Sequence, residues 1–226
     1  MNASEGAAYP VPACEVRREL VVVNSRFIAA LAPAATVEAA RAFIARVRRD
    51  FPDATHHVPA YIVGGGASAV SHASDDGEPA GSAGRPVLAV LRGSGLGDVA
   101  VVVTRYFGGT KLGIGGLVRA YTQAAQRVVA VVPRARKVLS HTVMLGLPYN
   151  RLEQVRRLAA RHGGTVLDEA FAAEVTLTLR FPVAAFPAFQ AALRELSAGR
   201  LEAVVLETDM VRLPPPDMSP CEQAAP

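Results

Sequence analysis

Tryptophan is absent from this 226-residue chain, and all aromatic residues together make up 6% of it. With so few flat side chains, a surface that stacks successive unpaired bases and reads their sequence is not expected. Only two cysteines occur, Cys14 and Cys221, each in a Pro-rich terminal stretch. Two are too few for a disulfide framework or a Cys-based zinc site, and no zinc spacing motif is present. Long uncharged apolar runs are missing as well. The first twenty residues lack an apolar core of signal-peptide length, and nothing reaches membrane-spanning length. The sequence reads as soluble and cytoplasmic. The net charge of +4 is compatible with a phosphate-bearing partner but too mild to argue one, and an ordinary Arg-rich surface is the readier reading.

What is present is the composition of a globular protein: 50% hydrophobic and 19% charged residues, in one large or two small domains. Residues 1–15 read as an unstructured lead. Strands are expected over 16–23 and 26–31, broken at Asn24-Ser25. Thr36 is placed to cap a helix whose apolar residues Val37, Ala40, Phe43, Ile44 and Val47 recur at helical spacing. A strand over 55–63 carries His56 and His57, which point to opposite faces because they are adjacent. Residues 64–85 read as a long loop, with His72 inside it, followed by a short helix over 82–91. The uninterrupted Val/Ala run within 98–107 marks a buried strand.

Everything is organised around the next stretch, Arg105 to Tyr121. Gly108, Gly109, Gly113, Gly115 and Gly116 separate that strand from a long amphipathic helix, which Pro133 stops. A Gly-rich loop leading into a helix N-terminus exposes backbone amides, and Arg105, Lys111 and Arg119 lie close by. This arrangement suits an anion. The Walker A pattern is not met, because Ser/Thr does not follow Lys111. Tyr106 and Phe107 also have a plain reading, as core aromatics.

Three readings stay open for the acidic cluster Asp75, Asp76 and Glu78. It is a hard-cation site, an acid/base pair with one raised pKa, or a turn in which an Asp binds backbone amides and Gly77 supplies a positive φ. Arg105 pairing with one of these carboxylates is a further reading. No metal site built on the histidines is expected.

Residues 134–138 form a basic linker and the expected domain boundary. Beyond it, strand, helix, strand, strand, helix and strand follow in order, the β-α-β-β-α-β of ferredoxin-like domains. Within this half Asn150 with Glu153 reads as a capping box, and His162-Gly163-Gly164 as a helix C-cap. The domain is expected over 139–211, with a disordered tail at 212–226.

The runs Ser25-Arg26-Phe27-Ile28, Ser74-Asp75-Asp76-Gly77-Glu78-Pro79-Ala80-Gly81 and Arg105-Tyr106-Phe107-Gly108-Gly109 resemble the IMPACT/YigZ family. So do Leu112-Gly113 and Gly115 to Tyr121, and the likeness covers roughly residues 16–209. The resemblance implies an α+β protein: a ribosomal-protein-S5 domain-2-like domain over 16–133, then a ferredoxin-like domain similar to one in the translocating elongation factor. Eukaryotic members control translation through an extra N-terminal domain. Only fifteen residues precede the shared region here, so that mechanism is not carried over.

Two functions follow as expectations. In the first, a non-catalytic, translation-associated regulator binds ribosome or RNA, without a cofactor. Its site is Arg105, Gly108, Gly109, Lys111, Gly113, Gly115, Gly116 and Arg119, faced by His57, Asp75, Asp76 and Glu78. In the second, an enzyme acts on a phosphorylated small molecule, with Asp75, Asp76 or Glu78 as base or Mg²⁺ ligand and His57 as a second acid/base group.

Overall fold

The structure, a computed structural model, describes residues 8–213. Those of the expected lead and tail that fall in 1–7 and 214–226 lie outside them. The chain divides into two compact units, and among the described residues it passes from one to the other between Arg136 and Lys137 and back between Val211 and Arg212.

The first unit is built on five antiparallel strands in the order β2-β3-β6-β4-β5. In sequence these are β2 (Val16–Val22), β3 (Ser25–Pro33), β4 (His56–Val63), β5 (Val70–Ala73) and β6 (Val99–Tyr106). A short first strand, β1 (Tyr9–Pro12), occupies part of the expected lead. β2 and β3 form a hairpin closed at Val22 and Ser25. Its two turn residues, Val23 and Asn24, both have positive φ, 43° and 63°. That is the backbone of a type I′ turn, whose twist matches the strands.

β6 lies centrally, and alternation divides its apolar run between two cores. Val99, Val101 and Val103 face one side with α2 (Gly84–Ser94) and α3 (Gly113–Val131). Ala100 and Val102 face the other with α1 (Val37–Asp50), which buries Ala40, Phe43 and Val47. A strand covered on both faces needs no polar alternation. Thr36 caps α1 as its sequence suggests, its hydroxyl accepting the Ala39 amide at 3.1 Å.

The long loop is shorter than expected. A 3-10 turn (Gly66–Ser68) and β5 lie inside it, so His72 is a strand residue paired opposite Tyr61. Short polar strands at a sheet edge leave little apolar periodicity to read. α2 extends to Ser94 and closes on Gly95 at φ 71°.

In the second unit, β7 (Arg134–Leu147) begins within the residues expected as a linker, so 134–138 are extended backbone. β8 (Thr165–Phe171), β9 (Val175–Pro182) and β10 (Val204–Leu213) complete a sheet in which the order is β10-β7-β9-β8. α4 (Leu152–Arg161) and α5 (Phe186–Ser197) pack on its apolar face. Val175, Leu177, Leu179 and Phe181 of β9 point into that core at every second residue. The expected capping box at Asn150 does not form. Tyr149–Arg151 is a 3-10 turn, and α4 starts on Arg151 without a side-chain cap. His162 does end α4, with Gly163 at φ 72°. Gly164 is fixed by space, since a Cβ there would sit 2.3 Å from the Phe181 ring. Among the described residues no helix is long and apolar enough to cross a membrane.

Candidate functional site

Strand register decides which side chains meet. On β6, Arg105 pairs with Phe27 of β3 and with His56 of β4. Directly paired antiparallel residues share a face, so all three point toward α3. Thr104 and His57 pair next to them and point the other way.

Arg105 is 5% exposed, and one guanidinium N–H donates to Glu78 Oε1 at 2.7 Å. The Tyr121 hydroxyl of α3 donates to the same oxygen at 2.7 Å. Burial first, and then that bond to a carboxylate, push the Tyr121 hydroxyl far above its ordinary value. A second Arg105 nitrogen donates to Ser25 Oγ at 3.3 Å. That Ser25 oxygen also accepts the Gly108 amide at 3.2 Å. The guanidinium lies over two rings, 5.4 Å from the centre of Phe27 and 5.5 Å from that of Phe107. Its Nε is buried with no hydrogen-bond partner among the described residues.

The acidic loop sends its carboxylates in three directions. Asp75 accepts the amides of Gly81, Ala83 and Gly84 at 2.8, 3.1 and 2.8 Å, closing the start of α2. Burial pushes this carboxyl up, but the three amides and the Arg85 charge outweigh it and hold it below its ordinary value. Asp76 pairs with Arg48 of α1 and accepts the His57 amide at 2.7 Å. Its backbone is left-handed, φ 48°, followed by Gly77 at 86°. Glu78 alone turns inward, to Arg105. The loop is therefore a tight turn, and the carboxylate that pairs with Arg105 is Glu78. Its carboxylates do not converge on one point, and among the described residues no group of three or more His, Cys, Asp or Glu is placed to hold a metal ion. His57 points at Thr104, Nδ1 to Oγ1 3.2 Å. Burial drives its pKa down, with the Asp76 charge opposing.

A cavity of about 320 Å³ opens at the head of α3, lined by Glu78, Arg105, Phe107, Lys111, Gly113 and neighbouring apolar residues. Of the residues singled out from sequence, Glu78, Arg105, Lys111 and Gly113 come together there. Gly108, Gly109, Gly115, Gly116 and Arg119 lie outside its lining, as do His57, Asp75 and Asp76. Gly108 has a packing role, because a Cβ on it would fall 2.1 Å from the Asn24 carbonyl carbon. The cavity also draws in Pro79, Leu112, Ile114 and Leu117, which sequence reasoning left out. Phe107 is no core aromatic: it is 47% exposed. Its position two residues beyond Arg105, on the same strand face, was the available signal. Lys111 and the first helical residues Gly113 and Ile114 are exposed. Leu112, the N-cap residue, offers the α3 amides no side-chain acceptor, and the first turn carries no acidic residue. The floor of the cavity is thus a neutralised ion pair, and its rim carries a cation's field and, among the described residues, helix amides without a side-chain cap.

A model of the Impact N-terminal domain matches residues 23–129, and one of a domain of unknown function (DUF1949) matches 145–200. The chain is 39% identical over 202 residues to an IMPACT family member of Haemophilus influenzae, covering 89% of this chain and 98% of that one. To IMPACT family member YigZ of Escherichia coli it is 38% identical over 198 residues, covering 87% and 97%. A crystal structure of a hypothetical protein, 37% identical, superposes with a TM-score of 0.59 and covers 88% of this chain and 98% of that one. The chain belongs to the IMPACT family.

Proposed function

We propose that this protein is a cytoplasmic, non-catalytic, translation-associated regulator that binds ribosomal or other RNA through the head of α3. One observation carries the reading: Lys111 stands exposed beside the uncapped N-terminus of a 19-residue helix, over a cavity whose floor holds Arg105. Cation, amides and helix dipole all favour a phosphate there. The finer fold assignments support it. We read the first unit as S5 domain-2-like. We read the second as ferredoxin-like, from its β-α-β-β-α-β sequence and the β10-β7-β9-β8 order. The resemblance links both to translation components, although fold alone does not decide function.

The test is RNA affinity across a salt series for the wild type and for Lys111→Ala and Arg119→Ala. Each phosphate contact removed lowers the slope of log affinity against log salt by roughly one. Unchanged affinity and slope in both variants would remove the physical basis of the reading.

A cavity of this size also favours a second reading, an enzyme acting on a phosphorylated small molecule. Glu78 is the acidic residue that supports it, since Asp75 and Asp76 are held elsewhere. A screen of metabolites by thermal shift, with and without Mg²⁺, tests it. Ligand at 100 times its Kd would stabilise the fold by roughly 2.7 kcal/mol.

A further inference from the structure

We infer that the cavity at the head of α3 takes one unpaired nucleotide of an RNA strand. Its base stacks on the outer face of Phe107, and its phosphate is held by Lys111 and the first amides of α3. The inference rests on the RNA reading above and names what that surface recognises.

Three features of different kinds meet here. Phe107 is a large aromatic left 47% exposed, and its inner face lies against the Arg105 guanidinium, itself stacked on buried Phe27. A ring anchored on one face and open on the other is a platform for a base, because every base presents a π-face. Beside it, Lys111 and the uncapped start of α3 leave donors and positive field for one phosphate. Between them the lining is apolar: Pro79, Leu112, Ile114 and Leu117. Ile114 is 66% exposed at the first turn of α3, an apolar side chain that a bound base would cover.

Size and composition set the limits. About 320 Å³ lies at the low end of small-ligand sites, which run from roughly 300 to 1,000 Å³. That suits one nucleotide and not a run of them. A single platform stacks one base without reading a sequence, in keeping with a chain that is 6% aromatic. The discrimination it offers is between unpaired and paired, since a base inside a duplex has no free face.

The test titrates the full chain with labelled single-stranded oligoadenylate, the same strand paired to oligouridylate, and AMP. Wild type, Phe107→Leu and Lys111→Ala are compared, with near-UV circular dichroism checking that each variant is folded. The single strand should bind more tightly than the duplex. Phe107→Leu should weaken it at least roughly fivefold, and Lys111→Ala should flatten its salt dependence. Binding that needs Lys111 but is indifferent to Phe107→Leu overturns the stacking inference and leaves the RNA reading standing. Failure of both RNAs to bind at low salt removes the RNA reading itself. AMP bound with dependence on Phe107, while the oligonucleotide is not, overturns the RNA source and assigns the site to free nucleotides.

Discussion

Arg105 and Glu78 meet at 2.7 Å in the first unit, each more than nine-tenths buried and twenty-seven residues apart in sequence. The pair ties the acidic turn to the last residues of β6, and Tyr121 brings α3 onto the same carboxylate. Removing one partner of a buried ion pair leaves the other charge uncompensated, at a cost of roughly 3–5 kcal/mol. Glu78→Ala should therefore lower the stability measured by urea unfolding by that much. Glu78→Gln, which keeps the shape and an oxygen acceptor but likewise removes the charge, should cost nearly as much. A much smaller loss in Glu78→Gln would mean that space and hydrogen bonding rather than charge decide this position.

Acid should weaken the fold in two stages. His57 has a folded pKa below its ordinary 6.5, so its contribution is complete above that value and declines as pH falls through the depressed one. Asp75 is likewise depressed, from an ordinary 3.8. Its contribution is complete above that value and is lost as pH falls further, through the folded one. His57→Gln should flatten the stability profile below pH 6.5, and Asp75→Asn should flatten it only in the more acid window. Unfolding by urea at a series of pH values reads both. Profiles of the variants that parallel the wild type would contradict the assignment.

Glycines of the organising stretch should separate sharply on substitution. Gly108→Ala drives a Cβ to within 2.1–2.5 Å of the Asn24 and Ser25 backbone, and overpacking of that kind costs roughly 1–3 kcal/mol. Gly115, in α3, has open space within 4 Å of the point where a methyl group would stand, so Gly115→Ala should stabilise by about 0.5–1 kcal/mol. Thermal unfolding of the two variants should move in opposite directions.

Val23 carries a β-branched side chain at φ 43° in the β2–β3 turn and is 56% exposed. Asn tolerates that region far better. Val23→Asn should raise stability by about 1 kcal/mol, measured by urea unfolding, with RNA affinity unchanged. A loss of stability would mean that Val23 packs in a way its exposure does not suggest.

Much of the architecture was legible from residues alone, because it rests on periodicity. The two-sided apolar run of β6, the capped α1 and the alternating β9 each carry a repeat that only one element satisfies. Where the periodicity was short or polar, expectation and structure part. β5 has four residues and no buried position, and the first residues of β7 carry three basic side chains. At the site, residue types pointed to Arg105, Glu78 and Lys111, but not to their division of labour. Register does that: pairing Arg105 with Phe27 and His56 sends it inward to Glu78, while His57 turns to the face of α1. Such pairing is a long-range property, invisible in spacing along the chain. Phe107 was misplaced for a related reason, since an apolar residue beyond the end of a strand has the same letter as one within it.

The most direct test of the central claim is co-sedimentation with ribosomes across a salt series, comparing the wild type with the Lys111→Ala/Arg119→Ala double variant. Binding should weaken steeply as salt rises and be lost in the double variant. Absence of binding at low salt, or binding that the double variant retains with the same salt dependence, would contradict it.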